Sequence, residues 1–178
     1  MTTLYNKLPW PHWIADNFLT FGALAELKSI PHQHLQTNKG RRVGADRMFL
    51  TEQCFLQYPH LGALCRSLQA GKMREYFEQH TGIDYSNLYL RVEVISDIGD
   101  FYLEPHHDHL EKRLTALVYT NYERLWPGTQ LSDGSCVESR DNRCFFFVPS
   151  EETYHEYPLT HFDCVRRALQ INYWTYSV

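Results

Sequence analysis

At Gly82 the spacing of apolar residues changes period, and that change limits the folds open to the chain. Upstream, "LQYPHLGALCRSLQAGKMREYFEQH" (56–80) carries apolar residues at helical spacing and predicts two helices broken near Ala70–Gly71. "NFLTFGALAELKSI" predicts another helix, with Asp16 as its N-cap and Pro31 as its stop. Downstream, Leu88, Leu90, Val92 and Val94 alternate with Tyr89, Arg91 and Glu93, the period-two pattern of a strand with one buried face. Further strands follow at 113–122, 143–150 and 166–177, with "LSDGS" (131–135) as a hairpin turn. Helices first and strands afterwards predict an α+β, mainly β, fold: antiparallel sheets buttressed by N-terminal helices. Residues 31–47 hold two glycines and four basic residues without periodicity, and read as a long loop or flap.

The chain of 178 residues suits one domain, residues 1–178. Its formal charge of −4 supplies no basic footprint for nucleic acid. No apolar run approaches the roughly 20 residues that cross a bilayer, and "MTTLYNKLPWPHW" has no apolar signal core. The expectation is a cytoplasmic protein with neither membrane nor nucleic acid as partner. Its five cysteines are odd in number and none are spaced C-x-x-C, so a disulfide framework or zinc ribbon is not expected. They read as small buried hydrophobes.

The densest chemistry lies in "EPHHDHLE" (104–111), three histidines and an aspartate between two glutamates. His106 and Asp108 stand two residues apart, and on a strand such side chains project from one face. His155, just after the aromatic strand 143–149, offers a third ligand. Two histidines and one carboxylate make the facial triad of non-heme Fe(II) oxygenases, with open positions for substrates. By alternation His107 and His109 point away from that pair. His107 reads as structural or solvent-facing, and His109 as a surface residue rather than one that lines the entrance.

The order of these features resembles the Fe(II)- and 2-oxoglutarate-dependent dioxygenases, in their prolyl-4-hydroxylase-like branch. The text that carries the resemblance is "GDFYLEPHHDHLEKRLTALVYTN" (99–121), "FFFVPSEETYHEYP" (145–158) and "RRALQINYW" (166–174), with "PWPHWIADNFL" (9–19) as the entry strand and helix. It implies a double-stranded β-helix, a jelly roll of two sheets with the metal between them. It implies Fe(II) held by His106, Asp108 and His155, and 2-oxoglutarate and O2 as cosubstrates. A C–H bond would be hydroxylated with release of succinate and CO2. Asp108 favours hydroxylation over halogenation, because halogenating members of the superfamily lack that carboxylate.

The distal carboxylate of 2-oxoglutarate wants a cation, and an arginine fork binds it in two places. Arg166 shares a small, polar strand face with Ala168, Gln170, Asn172 and Trp174, as a cavity wall would be. Arg167 shares the opposite, apolar face with Leu169, Ile171 and Tyr173, a face suited to packing on helices. Arg166 is therefore the expected partner, unless a bulge shifts the register by one residue. Arg167 is expected at an exposed strand start, where its loss would cost about 0–1 kcal/mol. Tyr119 matches the family's tyrosine that hydrogen-bonds the same carboxylate. A second family tyrosine, on the strand before the H-x-D pair, is replaced here by Ile95 and Ser96.

Candidate substrate walls are Arg91, Glu93, Trp174 and the basic residues Arg41, Arg42 and Arg47. Arginines there would clamp an anionic group. A small metabolite or biosynthetic intermediate is favoured. The alternatives are a peptidyl (prolyl-type) residue, or a jelly-roll metal protein that does not use 2-oxoglutarate. Oligomeric state is not legible.

Overall fold

The computed structural model describes residues 2–31, 45–120 and 126–176. The chain opens with two short strands, β1 (Thr2–Asn6) and β2 (His12–Asp16), followed by helix α1 (Phe21–Ser29). Strand β3 (Ala45–Phe49), a 3-10 turn at Glu52–Leu56, and helices α2 (Pro59–Ala70) and α3 (Lys72–Thr81) come next. The remainder is strand: β4 (Tyr89–His106), β5 (Lys112–Thr120), β6 (Trp126–Leu131), β7 (Cys136–Ser139), β8 (Arg143–Phe147) and β9 (His155–Trp174).

The larger sheet runs β1-β2-β8-β5-β9-β4-β3, all antiparallel. The far ends of β4 and β9, from Leu103↔Tyr157 to His106↔His155, continue into a smaller sheet in which β6 pairs with β9 and β7 with β6. The chain is thus the double-stranded β-helix expected from the sequence, with two long strands shared between the sheets. Their length is greater than the alternating segments predict. Register shifts between Asp97 and Gly99, Phe101 and Leu103, and Leu103 and His106 break the alternation where β4 turns from one sheet to the other.

The helices cover one face of the larger sheet. Leu27, Leu61, Leu68 and Phe77 pack there against Val92, Val94, Ala116, Val118, Phe146, Leu169 and Ile171 in one buried cluster. Each of these side chains except Ala116 contributes about 1.5–3 kcal/mol through burial. Tyr173 adds a hydrogen bond from its hydroxyl to the Leu68 carbonyl at 2.5 Å. A second cluster of Trp10, Tyr119, Leu131, Val137, Phe145 and Phe147 lies on the other face. Cys65 and Cys144 are buried members of the core, and the described cysteines are free.

Two local expectations change. Asp16 does not cap α1: it ends β2 opposite Arg143, whose Nε and Nη2 donate to its carboxylate at 2.7 and 3.0 Å. The cap is Thr20, whose hydroxyl accepts from the Ala23 amide at 3.3 Å. Sheet pairing with β8 wins Asp16 from the helix. Second, Ala45, Asp46 and Arg47 belong to β3 and not to a loop. The rest of the expected flap, 32–44, including Arg41 and Arg42, lies outside the described residues. The helix break at Gly71 falls as expected. Gly82 closes α3 at φ +72°, a left-handed conformation that favours glycine, with its amide on the Glu78 carbonyl. Among the described residues no helix is long and apolar enough to cross a membrane.

Candidate active site

His106, the last residue of β4, and His155, the first of β9, are Cα partners across the strand pair. Their ring centroids lie 4.5 Å apart. His106 Nδ1 donates to the Glu104 carbonyl at 2.8 Å, and His155 Nδ1 to the Thr153 carbonyl at 2.9 Å. A carbonyl only accepts, so each Nδ1 carries a proton, and Nε2 is the ring nitrogen left to meet an ion. Asp108 lies just beyond β4, off the regular strand, and its carboxylate still reaches the histidines. One ligand atom from each of His106, Asp108 and His155 lies within 4.8 Å of the others. Two imidazole nitrogens and one carboxylate oxygen suit a divalent iron ion. His107 and His109 do not join this group, in line with the sequence, although both line the adjoining cavity.

Asp108 is held from two sides. The Lys112 ammonium stands 2.9 Å from Oδ1, and the Thr115 hydroxyl donates to Oδ2 at 2.5 Å. Burial pushes the Asp108 carboxyl up, but the Lys112 charge, His155 and the Thr115 hydroxyl outweigh it and hold it below the usual carboxylate range. Burial depresses His155 against the opposing pull of Asp108, which favours the neutral, ligand-competent imidazole. Phe147 lies edge-on to His155 at 5.2 Å and Trp10 at 6.5 Å, so one side of the site is walled by aromatic rings.

Behind the cluster is a cavity of about 110 Å³, lined by His106, Asp108, His155, Leu117, Tyr157 and Arg166 among others. One water needs only ~10–15 Å³ of such space. Arg166 is buried there and stacks over the Tyr157 ring at 4.1 Å. Its Nε and Nη2 both donate to Asp97 Oδ2, the former at 2.8 Å. Burial disfavours the guanidinium charge, but Asp97 and the Tyr157 and Tyr119 phenols outweigh that and raise the Arg166 pKa. Tyr119 is buried beside the cavity without lining it, and its hydroxyl bonds Thr129 Oγ1, which does line it, at 2.7 Å. Burial pushes the Tyr119 phenol well up, so it stays protonated and able to donate.

The alternation argument places β9 correctly. Arg166, Gln170, Asn172 and Trp174 face cavities, while Leu169, Ile171 and Tyr173 face the helices. Arg167 is the exception to its expected environment. It is buried, and its Nη1 donates to the carbonyls of Leu27 at 3.3 Å and Lys28 at 2.9 Å, at the end of α1. The helix covers the strand start that the sequence leaves exposed.

Past the three ligands a wider cavity of about 520 Å³ opens, walled by Arg47, Arg91, Glu93, Gln170, Asn172 and Trp174. Four of these are among the expected substrate walls. Lys112, Asp97 and Tyr157 were not singled out by sequence. Lys112, four residues after Asp108, has the only local signal. Asp97 and Tyr157 acquire their roles from cross-strand neighbours that spacing does not reveal.

No protein-family model and no curated protein matches the chain. Solved structures do. It is similar to a prolyl hydroxylase in complex with a hypoxia inducible factor oxygen degradation domain peptide fragment, from Trichoplax adhaerens: TM-score 0.62, 16% identity, 92% of this chain and 83% of that one. It is similar to a viral collagen prolyl hydroxylase from Paramecium Bursaria Chlorella virus-1, in a 2-oxoglutarate complex: TM-score 0.62, 13% identity, 93% and 96%. It is also similar to the non-heme α-ketoglutarate-dependent epimerase SnoN from nogalamycin biosynthesis: TM-score 0.64, 16% identity, 92% and 76%. The fold is that of the 2-oxoglutarate/Fe(II) oxygenases.

Proposed function

We propose that residues 1–178 form a single Fe(II)- and 2-oxoglutarate-dependent oxygenase domain that hydroxylates a C–H bond of a small molecule, with release of succinate and CO2. The observation that carries this is the His106, Asp108 and His155 cluster, which lines one cavity together with Arg166. The three residues would hold Fe(II). The iron and 2-oxoglutarate together supply the activation of O2. Arg166 would anchor the distal carboxylate of the cosubstrate, with Tyr119 and Thr129 close by. The rings of Trp10 and Phe147 would keep water from the reacting centre. A small-molecule substrate is supported by the wider cavity, whose size of about 520 Å³ falls within the range of small-molecule pockets. Among the similar structures, one is a complex with a peptide fragment and another belongs to nogalamycin biosynthesis, so fold analogy favours neither class.

The reading of a metal protein that does not use 2-oxoglutarate has one observation on its side. Two Arg166 nitrogens already meet Asp97. Release of succinate and labelled CO2 from 2-oxoglutarate by the Fe(II)-loaded protein, with and without candidate substrates, decides between the two. Equal release by the wild-type protein and by Asp108→Ala would defeat the oxygenase reading.

A further inference from the structure

The inner face of β4 and β9 is a ladder of cross-strand pairs that leads outward from the buried ion pair. Asp97 opposes Arg166, Ile95 opposes Ala168, Glu93 opposes Gln170, Arg91 opposes Asn172, and Tyr89 opposes Trp174. The chemistry changes along it. At the Glu93 rung two guanidiniums serve one carboxylate: Arg47 Nη1 reaches Oε2 at 3.0 Å, and Arg91 Nε reaches Oε1 at 2.6 Å. Glu93 is almost wholly buried, so this charge balance belongs to the cavity wall. Among the described residues of this rung, two cations against one anion leave one positive charge in excess. Lys112, on the same wall, is paired with Asp108 and does not reach Glu93.

Arg91 and Trp174 also line a second, outer groove of about 280 Å³ with Phe49, Thr51, Tyr89 and Tyr176. Phe49, Tyr89 and Tyr176 are 48%, 54% and 46% exposed, so three aromatic residues of one groove are open to solvent. Arg91 joins the two regions, since its guanidinium lies over the Phe49 ring at 4.6 Å.

We infer that the primary substrate is a ring-bearing monoanion. Its acid group sits at the Arg47–Glu93–Arg91 cluster, and its flat apolar part lies on the shelf of Phe49, Tyr89 and Tyr176. This rests on the oxygenase reading for the word substrate, but the binding site itself does not. An anion placed at Arg91 completes the second guanidinium, and a planar ring gains stacking on rings already exposed. A neutral molecule of the same shape gains only the second term.

Isothermal titration of the full chain, loaded with Mn(II) and saturated with 2-oxoglutarate, tests this with 2-naphthoate, 2-naphthamide and acetate. Saturation with 2-oxoglutarate keeps the probes from the Arg166 cavity. The acid should bind about tenfold or more tightly than the amide, the difference of one charge-assisted contact. Arg91→Gln should bring the acid down to the level of the amide. Phe49→Ala should weaken acid and amide alike and leave the preference for charge intact. Equal binding of acid and amide would overturn the anion site, and acetate as tight as naphthoate would overturn the shelf. A melting shift by 2-oxoglutarate with Mn(II), recorded on the same preparation, separates the two claims. If that shift is absent, the titration is repeated with Mn(II) alone. The expected probe pattern then leaves this site standing while the oxygenase reading falls. A shift without the probe pattern sinks this inference alone.

Discussion

Arg166 and Asp97 face each other across β9 and β4 and form an ion pair that is buried on both sides, 6% and 0% exposed. The cation proposed to anchor the cosubstrate is therefore built into the wall by a carboxylate of the protein itself. Pairing fixes the guanidinium plane, and the Tyr157 ring supports it from one face.

That arrangement predicts an asymmetry between single and double substitution. Arg166→Ala strands the Asp97 charge and should cost about 3–5 kcal/mol of stability, the usual result of breaking a buried pair from one side. Arg166→Met combined with Asp97→Asn removes both charges and should recover most of that loss. 2-oxoglutarate binding should stay at least tenfold weak in both. Urea melts and cosubstrate titrations of the two variants check this. Recovery of cosubstrate affinity in the double variant would show that Arg166 is not the anchor.

Arg167 should behave in the opposite way. Its bonds to the Leu27 and Lys28 carbonyls tie β9 to the end of α1. Arg167→Ala should cost about 1–3 kcal/mol, because it removes two charge-assisted hydrogen bonds and a cation from a helix C-terminus. The 2-oxoglutarate affinity of the folded fraction should be unchanged. A drop in affinity comparable to that of Arg166→Ala would mean that the two residues share one role.

Lys112 balances the Asp108 carboxylate while no ion is bound, so it should work against the metal. Lys112→Met should lower the melting temperature of the metal-free protein and enlarge the stabilisation by Mn(II). The gain in Mn(II) affinity should be roughly five- to thirtyfold, or about 1–2 kcal/mol. Weaker Mn(II) binding in this variant would show that Lys112 orients Asp108 for the ion.

Burial lowers the His12 pKa against the opposing bond from its Nδ1 to the Trp10 carbonyl at 2.9 Å. The folded pKa then lies below the ordinary value of 6.5. Below pH 6.5 the unfolded chain takes up a proton that the folded chain refuses, so this stability is present above that pH and is lost as pH falls towards the folded pKa. Urea melts at pH 7.5 and 5.5 should show a smaller pH loss in His12→Asn than in the wild-type protein. Equal losses would mean that His12 does not titrate in this range.

Much of this was legible in the sequence because one physical rule, period-two alternation, governs both strands that line the site. It separates Arg166 from Arg167, and it puts Arg91, Glu93 and Trp174 on the cavity side. It fails where strands bend. The bulged half of β4 and the first half of β9 carry no clean pattern, so both strands look half their length. Competition for a side chain is also invisible: Asp16 has the look of a helix cap until β8 brings Arg143 to it. Asp97 was unremarkable for the same reason, since only strand pairing shows that it stands opposite Arg166.

The central claim is that one divalent ion at His106, Asp108 and His155 is the platform on which 2-oxoglutarate binds. Titration of 2-oxoglutarate into the protein with and without saturating Mn(II), for the wild type and Asp108→Ala, tests it most directly. The account predicts binding by the wild type that depends on Mn(II), with at least about a hundredfold loss when the ion is withheld, equal to about 2.7 kcal/mol. It predicts no Mn(II)-dependent binding by Asp108→Ala. 2-oxoglutarate binding that is equal with and without Mn(II), or unchanged in Asp108→Ala, would contradict it.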